Sequence, residues 1–325
     1  MVERIIKDFH SQTFNDPVDI REALDHYRTI SGSGIQNLST YEMEQLTSAF
    51  KKFFNYHFTI LADTYPTKLF RICRNKLLLN GLEGRLLKIS QLIGPPKGKS
   101  YYGRCNLPGE SVFYAALDFH TAIWETKPEP GEYITVSEWK IKEGHKLWTH
   151  SIFHPVLSNV SKASKNGYEA WLQLQREMDP KLVQISDDLM TFLTEQYMMP
   201  VDYESRENYL FSGIYSSKLI QSKPDGNGFK IEAICYPSVK MEYGLTNLAI
   251  LNSLVLQKLD LVEVTIFYVC ETNYDTSNLI GDDIIYFSPM VAKTRNFDIQ
   301  NDSILYDHKA ELNLAIELDT KYGRR

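Results

Sequence analysis

The chain contains no run approaching the roughly 18 consecutive apolar residues of a membrane-spanning helix. Its best apolar stretch, Leu245 to Leu256, is interrupted by Thr246, Asn247, Asn252 and Ser253. Cysteine pairs are missing too. Cys73, Cys105, Cys235 and Cys270 are far apart and form no C-x-x-C, which argues against a disulfide framework or a zinc knuckle. Four free thiols in a reducing cytoplasm is the simpler expectation. At the N-terminus, Met1-Val2-Glu3-Arg4-Ile5-Ile6-Lys7-Asp8 is broken by charge before an apolar stretch can develop, so no secretory signal is read there. A surplus of positive charge is absent as well. The net charge of -6 leans against a general nucleic-acid binder, because phosphate backbones reward a basic surface.

Familiar catalytic signatures are also lacking. There is no G-x-x-x-x-G-K-[ST] loop, no G-x-G-x-x-G after a strand, no G-x-S-x-G elbow and no H-E-x-x-H. Among the histidines, His150 and His154 are four apart, but Pro155 follows and Ser151-Ile152-Phe153 reads as loop or strand. No metal is expected. Nothing repeats internally, and no segment is low in complexity.

What remains is an ordinary globular composition: 325 residues, 43% hydrophobic and 23% charged, enough for one large domain or two ordinary ones. Val18 to Ile30 has helical spacing at Ile20, Leu24 and Tyr27, and Ser31-Gly32-Ser33-Gly34 breaks it. Ser39 with Glu42 predicts a capping box for a helix from about Thr40, with Met43, Leu46, Phe50, Phe53 and Phe54 along a core-facing side. Leu69 to Cys73 reads as a strand, and Gly94-Pro95-Pro96-Lys97-Gly98-Lys99 as a loop. Ser111 to Ala116 is expected to be a strand ending near Tyr114, and Asp118 to Glu125 a helix capped by Asp118. Tyr133 to Ile141 alternates as a strand should.

From Ser161 to Gln221 the pattern predicts three helices, broken near Asp179-Pro180 and Pro200. A turn at Asp225-Gly226-Asn227-Gly228 precedes a strand from Phe229 to Cys235. Leu245 to Lys258 then reads as a helix and Leu261 to Glu271 as a strand, with Ile284 to Phe287 and Leu312 to Leu318 as further candidate strands. A domain boundary is drawn near Thr64 to Pro66.

Several residues could carry chemistry. Lys97, Lys99, Tyr101, Tyr102, Gly103 and Arg104 have the parts of an anion site: glycine for close approach and arginine for bidentate contact with phosphate oxygens. The same residues would serve equally well as a solvated turn. Arg71 interrupts an apolar strand and needs a partner, either a ligand or a structural ion pair. Glu125 falls at a helix C-terminus, where the macrodipole disfavours negative charge. It is either an exposed last-turn glutamate or a functional carboxylate. Ser238 after Pro237 reads as a turn serine unless a site claims it.

In order along the chain, Leu69-Phe70-Arg71-Ile72, Gly103-Arg104-Cys105-Asn106 with Gly109, Val112-Phe113-Tyr114-Ala115-Ala116, Ala122-Ile123-Trp124-Glu125 and Tyr236-Pro237-Ser238-Val239, followed by Asn247-Leu248-Ala249, resemble the RES-domain family over roughly Tyr65 to Thr272. Cys105 stands where that family usually has tryptophan, and Ala233 where it often has glycine. The resemblance implies an α+β fold with an ADP-ribosyltransferase-like mixed sheet, inserted helices and a helical N-terminal extension. It also implies breakdown of nicotinamide adenine dinucleotide (NAD), often by the toxin of a toxin–antitoxin pair. The expected division is an extension over 1–64, an NAD-binding catalytic domain over 65–275 and a C-terminal extension over 276–325.

By the same resemblance, Glu125 faces the ribose cation, and Arg71 and Arg104 hold the pyrophosphate. Tyr114 packs against nicotinamide or ribose, and Ser238 orients the substrate. The expected partners are NAD, as substrate without a metal, and a cognate antitoxin, with a homodimer as a candidate assembly and neither nucleic acid nor membrane. A catalytically silent interaction module on the same fold is the alternative from another class. Nucleic-acid binding through Lys97, Lys99 and the tyrosines is a weaker third.

Overall fold

A computed structural model of the chain describes residues 16–56, 61–64, 66–79, 84–153, 162–224, 230–238, 246–272 and 290–307. In chain order its longer elements begin with helices α1 (Pro17–Ser33) and α2 (Thr40–Phe50) and strands β1 (Leu61–Thr64), β2 (Leu69–Arg74) and β3 (Val112–Ala116). Helix α3 (Phe119–Thr126) and strands β4 (Tyr133–Ile141) and β5 (Leu147–Ser151) follow, then helices α4 (Lys162–Leu174), α5 (Pro180–Met198) and α6 (Leu210–Ile220). The remainder is strand: β6 (Ala233–Pro237), β7 (Thr246–Leu251), β8 (Leu259–Tyr268), β9 (Met290–Thr294) and a small hairpin, β10 (Phe297–Asp298) with β11 (Ser303–Ile304). The class is mixed α+β. Among the described residues no helix is long and apolar enough to cross a membrane.

The chain divides into two compact units, each assembled from separated stretches. The first takes Met1–Thr64, Pro95–Val112 and Leu147–Leu251, and the second Tyr65–Gly94, Phe113–Lys146 and Asn252–Arg325.

In the first unit, Asp16 accepts from the Val18 N–H at 2.9 Å to start α1, and Pro17 occupies the first turn, where its missing N–H costs nothing. The helix runs through Gly32 and stops at Gly34, whose φ of 92° suits glycine alone. The Ser39–Glu42 capping box is present at the start of α2. Tyr27, Phe50, Phe53, Phe192 and Phe211 interlock beneath these helices, with Phe50 and Phe211 centroids 4.9 Å apart and edge-on. Truncating such a buried ring costs about 3–5 kcal/mol. Arg21–Asp188 at 2.8 Å and Arg28–Glu195 at 2.6 Å tie α1 to α5 at the surface.

β1 and β5 pair antiparallel, β5 and β6 parallel, and β6 and β7 antiparallel. A parallel pair needs a crossover connection, and the chain between β5 and β6 supplies α4, α5 and α6 for it. These are the three helices expected between Ser161 and Gln221, with Asp179 capping α5 through the Lys181 N–H at 2.8 Å.

The expected helix over Leu245 to Lys258 is corrected. Thr246–Leu251 forms strand β7, and helix is confined to a 3-10 turn at Asn252–Leu254 and the α-helical turn Val255–Lys258 that follows it. Residues 246–250 are all buried. An apolar run buried on both faces loses the alternation that marks a strand, so periodicity cannot separate it from a helix.

In the second unit, β3, β2, β4, β8 and β9 pair antiparallel in that order. Strand alternation with the register Phe70↔Ala116 puts Phe70, Ile72, Tyr114 and Ala116 on one face. Helix α3 covers that face, where Ala122 and Ile123 pack with Ile72, Ala116, Ile134 and Val136. Leu69, Arg71, Cys73 and Phe113 belong to the opposite face. The predicted turn at Asp225–Gly228 and the candidate strands at Ile284 to Phe287 and Leu312 to Leu318 lie outside the described residues, and β9 was not anticipated.

Candidate functional site

Arg71 sits in the middle of β2. Its Nη1 donates to the Tyr114 carbonyl at 2.9 Å, and its guanidinium stands 5.4 Å from the Phe113 ring centroid. The described β2–β3 ladder holds a single bridged pair, Phe70↔Ala116. Arg71 therefore meets a main-chain acceptor of β3 beyond that bridge. Its Nε is buried and has no hydrogen-bond partner. No carboxylate among the described residues forms an ion pair with it.

Three residues further along the strand, Arg74 has carboxylate partners, Glu132 at 2.6 Å and Glu129 at 3.1 Å, although its Nε is likewise buried and without a hydrogen-bond partner. Burial pushes the neighbouring Cys73 thiol up, with the Arg71 guanidinium working against it. Beside Arg71, Phe113 packs edge-on against Trp139 at 5.5 Å, both fully buried. Buried Ser137, opposite Arg71 in the register, accepts from the Trp139 indole N–H at 2.9 Å.

Tyr114 lies mid-strand in β3 rather than at its end. Alternation puts its side chain on the α3 face, opposite that of Arg71, so the two residues meet through the Tyr114 main chain. Glu125 is half-buried in the last turn of α3. Asp118 starts that helix by accepting from the Thr121 N–H at 2.8 Å. Lys127 ends it in the left-handed region at φ 44°, with its N–H bonded to the Ile123 carbonyl at 2.8 Å. The abrupt stop fixes where the Glu125 turn ends. Tyr114 and Glu125 thus belong to the same side of the second unit.

The other two residues belong to the first unit. Arg104 is 8% exposed, and its guanidinium is engaged. Nη1 donates to the Tyr197 carbonyl and, at 3.3 Å, to that of Met199, while Nη2 reaches the Tyr209 hydroxyl at 3.4 Å. The guanidinium also lies 4.9 Å from the Tyr209 ring centroid. Helix C-termini leave carbonyls without intrahelical donors, and Arg104 supplies donors at the end of α5. Tyr197 packs 5.9 Å from Tyr236 on β6, the strand that leads into buried Ser238. Arg104 and the Tyr236-Pro237-Ser238 strand end are thereby linked through one tyrosine.

The glycine-bearing loop is a structured turn rather than an open phosphate cradle. Gly103 N–H bonds to Asn106 O at 3.0 Å and Asn106 N–H to Gly103 O at 3.2 Å. Gly109 N–H reaches Ser100 O at 3.0 Å, and Leu107 N–H reaches the Glu110 carboxylate at 2.8 Å. The donors a phosphate would need are occupied inside the turn. Gly213 of α6 lets the turn sit close, for a Cβ there would come within 3.1 Å of the Asn106 carbonyl. Lys97, Lys99 and Tyr101 remain exposed.

Sequence reasoning missed Tyr197 and Tyr209, which hold Arg104, and Phe113, which supports Arg71. Nothing in the sequence marks the tyrosines, because they lie 93 and 105 residues from Arg104. His150 is a core histidine whose Nε2 bonds to the Tyr215 hydroxyl at 3.0 Å. All four cysteines are free, and burial pushes Cys105 and Cys235 up to about 12. Neither is a thiolate near neutral pH. Among the described residues no group of three or more His, Cys, Asp or Glu is arranged for a metal ion.

The family model of the RES domain matches residues 87–263, which is more than half of the chain and narrower than the stretch from Tyr65 to Thr272. Arg104, Tyr114, Glu125 and Ser238 fall inside the match, and Arg71 lies upstream of it. No curated protein matches the chain. The ordered sequence pieces and the model match agree on the same central segment, and the chain belongs to the RES-domain family.

Proposed function

We propose that the protein consumes NAD by breaking the bond between nicotinamide and the ribose C1′. The electron pair of that bond leaves with nicotinamide and neutralises its pyridinium charge, so no general acid is required. The oxygen of an acceptor (water, phosphate or a protein side chain) then bonds to C1′ and gives up its proton. The barrier lies in an oxocarbenium-like ribose, and one fixed carboxylate lowers it electrostatically. In this reading Glu125 is that carboxylate, and Tyr114, on the same side of its unit, packs against nicotinamide or ribose. The Arg71 side chain lies on the opposite face of the sheet, which counts against one NAD molecule meeting all three.

Arg71 carries the reading. It is a guanidinium with a buried Nε–H that has no acceptor and with no carboxylate partner among the described residues. A buried donor left this way is costly, and a phosphate oxygen would relieve it. Arg104 and Ser238 belong to the first unit, where Arg104 holds the end of α5. Their part in binding the substrate rests on the family resemblance alone. Acting as the toxin of a toxin–antitoxin pair, with a protein antitoxin as partner, is the biological role this chemistry fits.

The engagement of Arg104 favours one competing reading, a silent interaction module whose family residues have become structural. Purified protein incubated with NAD, with and without phosphate, separates the two. Nicotinamide release in both conditions means hydrolysis, and a phosphate-dependent ADP-ribose phosphate means phosphorolysis. Modified protein means transfer to a side chain. Intact NAD in every arm, or full activity in Glu125→Gln, would sink the enzymatic reading.

A further inference from the structure

The second unit holds a depression of about 370 Å³ that includes none of Arg71, Tyr114 and Glu125. Its origin is local. The β4–β8 register shifts between Glu138 and Trp139, a bulge that bends the strand and disrupts the ladder. Leu256, Phe297 and Ile299 line the depression together with Leu259, which is itself buried. Leu256 is 37% exposed and Ile299 52%, so large apolar side chains stand open to water around a concave surface.

The rim is cationic. Lys140, Lys142 and Arg295 border the depression, against one carboxylate, Asp260. Lys140 stands opposite Asp260 in the strand register, yet among the described residues it makes no ion pair. Lys142 uses one donor on the Leu256 carbonyl at 2.6 Å, leaving two of its three. Arg295 engages Glu263 through Nε at 2.8 Å, and the rest of its fork is open. Unengaged cationic donors therefore ring an apolar floor. The volume lies near the lower end of small-ligand pockets, about 300–1,000 Å³, and such pockets combine an apolar lining with a few polar groups.

We propose that this depression binds a small amphiphilic carboxylate, with its apolar chain on Leu256, Phe297 and Ile299 and its head at Lys140 and Arg295. The proposal does not depend on the NAD reading, because no residue is shared.

Calorimetric titration of the full chain with octanoate, octan-1-ol and octylammonium tests it. Octanoate binds one molecule per chain, and the neutral and cationic analogues bind at least about tenfold more weakly. Lys140→Glu and, separately, Ile299→Asp weaken octanoate binding about tenfold or more, while thermal melts show both variants folded and nicotinamide release from NAD unchanged. Ile299→Asp keeps every rim cation, so its loss of binding isolates the apolar contact. No octanoate binding, equal binding of octan-1-ol, or undiminished binding in both variants overturns the proposal. So does capture of an acidic apolar peptide in place of octanoate, which would make this a protein-docking surface.

Discussion

Arg71 and Arg104 share a residue type and an inferred task, yet the two units treat them differently. In the first unit, Arg104 is almost wholly buried and gives its donors to the Tyr197 and Met199 carbonyls and the Tyr209 hydroxyl. In the second, Arg71 donates to the Tyr114 carbonyl and interacts with the Cys73 thiol, and keeps a buried Nε without a partner. An arginine whose guanidinium is engaged by main-chain carbonyls and a tyrosine stabilises a fold. One with a donor left unsatisfied can take a ligand's oxygen, which is the task the proposed function gives Arg71. Family motifs record which residues are present, and hydrogen bonds distinguish what each one does.

Removing the two side chains tests that difference. Arg104→Ala strands carbonyls at the end of α5 and empties the space over Tyr209, and charge-assisted bonds of this kind are worth about 1.5–3 kcal/mol each before packing is counted. A loss of roughly 3–4 kcal/mol of stability is expected, read as a fall in urea midpoint. Arg104→Lys does not restore it, since an ammonium cannot span the same acceptors as a planar fork. Arg71→Ala loses the bond to the Tyr114 carbonyl from a half-buried side chain, about 1–2 kcal/mol. Its larger effect is on NAD turnover, a drop of about a hundredfold, or roughly 2.7 kcal/mol. Equal stability losses with equal turnover losses would erase the distinction.

Much of this was legible in the sequence, and the exceptions share a cause. The Ser39–Glu42 box, the Asp118 cap and the exact span of β4 are local chemistry, visible within a few residues. So is the stop of α1, although Gly34 rather than Gly32 enforces it. β7 was misread as helix because burial on both faces removes the periodic signal. The order of site residues was readable, but Arg104's commitment to Tyr197 depends on a contact 93 residues away. The turn at Gly103–Asn106 looked open because sequence does not reveal which N–H groups already have acceptors.

The first unit should also respond to acid in a window of its own, above the carboxylate window that both units share through Glu42 and Glu263. In the first, burial lowers the His26 pKa below its ordinary 6.5. The unfolded chain therefore takes up a proton that the folded unit resists, and stability falls as pH drops through 6.5. In the second, burial raises the Glu263 pKa, but hydrogen bonds to Lys293 and Arg295 outweigh it, and the net direction is below 4.5. Its contribution is intact above 4.5 and lost as pH falls through the lower folded value. Urea midpoints at pH 7.5, 5.5 and 3.5 should thus fall in two stages. His26→Gln flattens the first stage and Lys293→Met shrinks the second. A single stage centred near 4 that ignores His26→Gln would count against the first assignment.

The smallest expected effect concerns the residue that ends the Glu125 helix. Lys127 holds φ 44°, a left-handed conformation that costs a non-glycine residue about 1–2 kcal/mol, while glycine adopts it freely. Lys127→Gly therefore stabilises the second unit by about 0.5–1 kcal/mol, with the entropy of a freer unfolded chain taking back the remainder. The same substitution sharpens the contrast between a residue kept for stability and one kept for chemistry. If the left-handed stop exists only to end α3, the variant melts higher and releases nicotinamide at the wild-type rate. If the lysine side chain takes part in holding the substrate, stability rises while turnover falls, and the helix end joins the site.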